Sequence, residues 1–201
     1  MARTGCGGER CSCLITAGPG MVVEGSGTSS APYVVSREDL IDPPVPEFVT
    51  KVVSLKVDTP QMIPADGSYH IVRFPYAGES YDPYDMHDAV QPDGYQVVDW
   101  ATNDRSGLIW PNVTGWGLLT ALIHWEAGGY GELRDQFVRA PFTAPDTTAT
   151  DHRAPSPGAQ FFTKHHEIFV SPDMPLALRV GHTDSTARRL TLAEFKLAIL
   201  P

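Results

Sequence analysis

Gly117-Leu-Leu-Thr-Ala-Leu-Ile-His-Trp125 is the stretch on which the fold turns. In an extended chain successive side chains point to opposite faces, so Leu119, Ala121, Ile123 and Trp125 share one side. Leu118 and Leu122 fall on the other. Period two at this apolarity predicts a β-strand. Apolar residues on both sides predict that it is packed between sheets or against another subunit.

The flanking sequence repeats the signal. Val53, Leu55 and Val57 alternate with Ser54 and Lys56, and Leu176, Leu178 and Val180 alternate with Ala177 and Arg179. Further strands are predicted at 70–74, at 95–100 after the Pro92-Asp-Gly94 turn, and at 136–140, 160–162 and 167–170. The Pro-, Thr-, Ala- and Asp-rich run 144–158 predicts one long exposed loop. At the C-terminus, Thr191-Leu-Ala-Glu194 satisfies a helical capping box. Leu190 and Leu192, then Phe195, Leu197 and Ile199, instead give two alternating runs offset by one residue. That offset predicts a strand with a β-bulge at Ala193-Glu194. Short strands at this spacing, without amphipathic helices between them, predict an all-β sandwich or jelly roll over 48–201.

The first 36 residues have a different texture. Cys6, Cys11 and Cys13 crowd a small, polar stub, and the thiols are absent thereafter. Met21, Val22 and Val23, then Tyr33, Val34 and Val35, are short β-prone triplets set among glycines. They are too few to offset the entropy of ordering the segment. A segment that cannot bury itself is disordered or completed by another chain; the second alternative makes 1–36 an attachment arm. Asp42-Pro-Pro-Val-Pro46 imposes an extended, semi-rigid link over 37–47. Cys11-Ser-Cys13 lacks the spacing of a zinc or redox pair, so inert thiols and covalent or metal-assisted cross-links between copies are the readings left.

Composition narrows the class. Apolar residues make up 42% of the chain, enough for a core, and the 18 glycines and 18 prolines suit short strands better than long helices. A net charge of −9 offers no basic stripe to replace counterions, so nucleic acid is not an expected partner. No apolar run is long enough for a transmembrane helix, and the N-terminus lacks a signal-peptide core. Synthesis in a cytoplasm without membrane insertion is the expectation.

Candidate sites are few. Asp82, Asp85, His87 and Asp88, with Tyr84, form the densest polar cluster and a possible ligand or receptor loop. The spacing is not that of a calcium loop, and hydrogen bonding to the local turn is the favoured use of these side chains. His165 and His166 point to opposite faces of a strand and cannot share an ion. No nucleophile elbow or metal-protease helix is present, so neither enzyme activity, a cofactor nor a metal is expected. Trp110, Trp116, Tyr130 and Tyr84 suit either a sugar-binding surface or core packing, with packing favoured.

Tyr81-Asp82 and Met86-His87-Asp88, followed by Ile109-Trp-Pro-Asn-Val-Thr-Gly-Trp-Gly-Leu-Leu-Thr-Ala-Leu-Ile-His-Trp125, Arg134, Leu176-Ala-Leu-Arg-Val-Gly-His182 and the Phe195 strand, carry a family resemblance. The body resembles the jelly-roll trimers of tumour-necrosis-factor and complement-head type, in the version found on phage particles. The opening Cys-Ser-Cys, Ser-Gly-Thr and Ala-Pro-Tyr-Val-Val runs resemble N-termini of minor virion proteins from phages of actinobacteria. The resemblance implies a homotrimer with Trp116, Leu119, Ile123, Trp125, Phe195 and Leu197 at the threefold interface or in the core. It implies assembly onto other virion proteins through Cys6, Cys11, Cys13, Met21–Val23 and Tyr33–Val35. A tail position makes a host-surface glycan a candidate partner; a capsid position makes the protein a decoration or short fibre. A free carbohydrate-binding or hydrolytic β-sandwich is the alternative from another class.

Overall fold

The structure, a computed structural model, describes residues 17–37, 49–77 and 81–200. The chain divides into two compact units, Met1–Glu47 and Phe48–Pro201. Cys6, Cys11, Cys13 and the proline link at 43–46 lie outside the described residues.

In the first unit, β1 (Met21–Glu24) and β2 (Val34–Arg37) pair antiparallel, from Met21 opposite Arg37 to Glu24 opposite Val34. The expectation that this segment needs a second chain to pair its backbone is therefore corrected: its two triplets bond one another. Gly25 sets the turn. Its φ is +102°, and a Cβ there would run into the Pro32 carbonyl oxygen, so only glycine fits. Backbone pairing does not bury the side chains, and Met21, Tyr33, Val34 and Val35 remain exposed.

The second unit is an all-β, jelly-roll-like sandwich of two antiparallel sheets. Its strands among the described residues are β3 (Lys51–Val57), β4 (Gln61–Ile63), β5 (His70–Ile71), β6 (Leu108–Ile109), β7 (Gly115–Trp125), β8 (Leu133–Arg139), β9 (Asp146–Arg153), β10 (Gln160–Val170), β11 (Leu176–His182) and β12 (Arg188–Leu200). One sheet runs β10-β7-β12-β3, with β4 also on β12; the other runs β5-β11-β8-β9, with β6 also on β11. From β7 onward the chain alternates between the sheets except at the β8–β9 hairpin. Leu119, Ala121, Ile123, Trp125, Phe195, Leu197 and Val53 from the first sheet meet Leu133, Phe137, Leu178 and Val180 from the second. Phe137 stacks on Phe195 at 5.6 Å between ring centroids.

A second, smaller cluster of Ile71, Leu108, Trp110, Val138 and Ala177 sits apart from this core. Ala177 and Val138 alternate with the inward Leu178 and Phe137, so the cluster occupies the outer face of the second sheet.

Several predicted elements require correction. Residues 95–100 form no strand; beyond a single bridge from Gln96 to Val90 the backbone turns. Asp93 and Asp99 each accept a hydrogen bond from the backbone N–H two residues on, at 3.1 and 3.0 Å, and these side-chain turns outcompete a ladder. Val98 consequently stands 93% exposed. The strand predicted over 70–74 stops at Ile71. Beyond it the Gln61 amide takes the place of a neighbouring strand: Nε2 donates to the Arg73 carbonyl at 2.8 Å and Oε1 accepts from its N–H at 3.0 Å.

The loop predicted over 144–158 contains β9, which pairs with β8 along its length. Its polar side chains are used in cross-strand contacts, among them Gln136 Nε2 donating to Thr150 Oγ1 at 3.0 Å and Arg153 Nε to Asp135 Oδ2 at 2.6 Å. The two strands predicted at 160–162 and 167–170 are one, because β10 is unbroken opposite β7. In β12 the predicted strand forms, but its irregularity falls between Leu190 and Leu192, not at Ala193-Glu194. Ala193 is small enough to point inward with Phe195, leaving Leu192 on the outer side.

Candidate functional site

The outward face of the β10-β7-β12-β3 sheet is its most unusual surface. The register aligns side chains across it in rows. One end carries Phe161, His124 and Leu192, and the other carries Phe169, Trp116 and Leu200. Trp116 is 60% exposed, Phe161 65% and Phe169 50%. Trp116 meets Phe169 edge-on at 6.4 Å, and His124 meets Phe161 edge-on at 4.6 Å. Between these ends lies a polar band in which Lys196 pairs with Glu194 at 2.6 Å and Thr120 hydrogen-bonds His165 at 3.3 Å. Partial burial holds the His124 imidazole below its ordinary pKa, against the opposing pull of Glu194.

This face separates the residues assigned to trimer interface or core. Leu119, Ile123, Trp125, Phe195 and Leu197 all point between the sheets of one chain and are buried there. Trp116 alone of the six faces outward. Sequence reading missed Phe161 and Phe169, although their spacing with Thr163, His165 and Glu167 marks one face of a strand. The signal was hidden because β10 is inverted, with Lys164 and His166 on its inward side.

The loop at 81–88 encloses a cavity of about 310 Å³ lined by Tyr76, Asp82, Asp85, His87 and Asp88. Asp82 Oδ2 accepts the His87 backbone N–H at 2.5 Å, and Asp88 Oδ1 accepts that of Val90 at 3.1 Å. Asp85 holds a left-handed backbone, φ 54°, where residues other than glycine are uncommon. His87 is buried, stacks on Tyr76 at 4.5 Å and donates Nε2–H to the Ser106 carbonyl at 2.8 Å. Burial pushes its pKa below 6.5, outweighing that hydrogen bond and the nearby Asp82 and Asp88. Burial also raises the Tyr76 hydroxyl to about 12. Tyr84 lies under the Lys51 ammonium, 5.4 Å from its ring centre, and does not line the cavity. Among the described residues no group of three or more His, Cys, Asp or Glu is placed to hold a metal ion.

The four aromatics of a conceivable sugar surface are dispersed. Trp116 lies on the first sheet's outer face and Trp110 in the small outer cluster. Tyr130 is buried against Trp125 with its hydroxyl on the Glu126 carbonyl at 2.7 Å. His165 faces outward and His166 lies on the inward side of β10, so the two imidazoles are divided by the strand.

No protein-family model matches the chain. No curated protein matches it. Solved structures similar to it include Eiger, a tumour necrosis factor of S. frugiperda, at 13% identity over 76% of this chain and 93% of that one, TM-score 0.43. The globular domain of zebrafish complement 1qA is similar at 12% identity over 75% and 96%, TM-score 0.48. Murine APRIL is similar at 11% identity over 75% and 100%, TM-score 0.43. At such values the fold assignment rests on this chain's own strand order and register.

Proposed function

We propose that this chain is a structural protein of a bacteriophage particle, a homotrimer anchored through residues 1–36. Its jelly-roll body faces the host as a minor tail protein. The observation that carries this reading is the uncovered aromatic face of the first sheet. Trp116 with Phe169 at one end of this face, and Phe161 with His124 at the other, are exposed aromatic patches, and exposed apolar patches mark interaction sites. The inter-sheet core is already closed within one chain, so a sister subunit adds burial here and nowhere in the interior. A threefold arrangement follows the trimers that the sequence resembles.

The exposed Met21, Tyr33, Val34 and Val35 of the hairpin support attachment by the first unit. Each outer edge of a two-stranded ribbon retains unpaired N–H and C=O groups, the template that strand addition to a partner sheet uses.

Cryo-electron imaging of particles assembled without this chain tests the reading. Loss of density at the tail tip is the expected result. Density missing from the shell instead would make the protein a capsid decoration, and complete particles would contradict a structural role.

A further inference from the structure

We propose that the outer face of the second sheet around Arg179 is a docking surface for a partner protein that presents an aspartate or glutamate side chain. The surface does not rest on the assembly reading, since it lies on the other sheet from Trp116 and a single chain supplies all of it. Arg179 alternates along β11 with the inward Leu178 and Val180, which turns its side chain outward, and the register sets it between Ile71 of β5 and Gln136 of β8. On one side of this row Arg134 and His152 pair across β8 and β9, and the Tyr69 hydroxyl donates to His152 Nε2 at 3.2 Å. On the other side sits the small apolar cluster of Ala177 and Val138.

The observation that marks the surface is an arginine without a counter-charge. Each other arginine of the sandwich whose side chain is described has a carboxylate oxygen within 3.9 Å. Among the described residues Arg179 has none. Its Nη2–H donates to the Tyr69 carbonyl at a long 3.4 Å, and its guanidinium lies 5.6 Å from the centre of the Tyr69 ring. The side chain is half-buried, and burial draws its pKa below the ordinary arginine value against the opposing pull of Tyr69 and Asp104. Asp104 is itself engaged by Arg73 at 3.8 Å. A charge drawn partly out of water without a partner costs folding free energy, so a counter-charge from outside the chain is what this position lacks.

The neighbours select the ligand. Arg134 is answered by Glu132 at 2.5 Å, and the same carboxylate meets His152 Nδ1 at 2.8 Å. Arg73 and Asp104 cancel in the same way, which leaves the single positive charge of Arg179 unanswered in a chain of net charge −9. One negative charge complements it, whereas a phosphate dianion would bring a second toward Glu132 and Asp104. The two oxygens of a carboxylate also match the guanidinium fork. Thr150 is exposed on β9; its hydroxyl accepts from Gln136 Nε2 at 3.0 Å and keeps its own proton for an acceptor on the partner. The face of a sheet is open, and small molecules favour concave sites. A carboxylate carried on a protein brings the further contacts that a flat face needs, and tyrosine and arginine are enriched at such interfaces.

Ligand-observed NMR of the full chain with a capped glycine-glutamate-glycine peptide, its glutamine counterpart, the corresponding phosphoserine peptide and methyl glucuronide tests the surface. Saturable binding of the glutamate peptide is expected at roughly millimolar concentration. The glutamine peptide binds about tenfold more weakly, and Arg179→Met weakens the glutamate peptide by a similar factor. Arg179→Lys, which keeps the charge but loses the fork, has a smaller effect. Trp116→Ala, on the other sheet, leaves binding unchanged. Arg179→Met also leaves the midpoint of urea unfolding unchanged or raised, because it removes a charge that the chain does not answer. Absence of saturable binding of the glutamate peptide up to roughly 50 mM overturns the proposal. So does equal binding of the glutamine peptide, binding that survives Arg179→Met, or tighter binding of the phosphopeptide or the glucuronide. A fall in the urea midpoint of Arg179→Met overturns it as well, since the arginine would then be a structural residue.

Discussion

Lys164 on β10 and Asp135 on β8 face one another across the sandwich, Nζ to Oδ1 at 2.9 Å, with side chains only 2% and 3% exposed. Arg153 on β9 binds the other Asp135 oxygen at 2.6 Å and Asp151 at 3.1 Å, and Lys164 also pairs with Asp151. Four charges thus link the edge strands β10 and β9 of opposite sheets, where an apolar seam would otherwise stand open to water. The short contact to Lys164 holds the Asp151 carboxyl below its usual range, with further help from Arg153.

Breaking this network from one side is expected to be costly, because it leaves Asp135 charged, buried and short of a partner. Lys164→Met should lower unfolding free energy by about 3–5 kcal/mol, read from urea denaturation. Lys164→Met with Asp135→Leu should recover part of the loss, since replacing both partners avoids a stranded charge. A Lys164→Met loss below 1 kcal/mol (roughly the value of an exposed pair) would contradict the structural role.

His87 gives the body a pH dependence of known sign. Burial keeps its folded-state pKa below the ordinary 6.5, so as pH falls through that value the unfolded chain takes up a proton the folded chain refuses. Stability should decline as pH falls from neutrality through 6.5, and this contribution should level off below the folded-state pKa. His87→Gln should be less stable at neutral pH, through loss of the Tyr76 stack, yet show a shallower decline between pH 7 and the folded-state pKa. Parallel stability–pH curves for the two proteins would rule out the assignment.

How far the residues announce their own fold depends on whether a strand's pattern matches its burial. β7, β3 and β11 were legible because their inward faces carry Leu, Ile, Val and Ala in unbroken alternation. β12 was legible as a strand, but its bulge was misplaced, because an inward Ala193 carries too little hydrophobic signal to fix the register. β9 was not legible: its Thr and Asp residues lie on an edge strand stabilised by hydrogen bonds and charges, and periodicity does not detect those. β10 was cut in two because Lys164 and His166 occupy inward positions that the network and the sandwich edge can accommodate. The loop at 81–88 was legible as a polar cluster, but not the burial of His87, which depends on Tyr76 and Ser106 from elsewhere in the chain. Trp110 and Phe142, 32 positions apart, are brought to one region because β11 pairs with both β6 and β8.

Removal of residues 1–35 is expected to leave a folded body with a β-type far-ultraviolet spectrum and a melting temperature within a few degrees of the full chain. The core from Val53 to Ile199 closes without them. The shortened chain should no longer join particles in a complementation assay. A body that fails to fold would show that residues 1–35 contribute to the sandwich, and incorporation at the normal level would remove the arm's assigned role.

Whether the uncovered aromatic face closes against sister subunits is read from sedimentation equilibrium of the full chain. A mass three times that of one chain is expected at micromolar concentration, dropping to the single-chain mass in Trp116→Asp with Phe169→Ser. A wild-type protein that sediments as one chain, with Trp116 quenched by solvent as readily as free tryptophan, would contradict it.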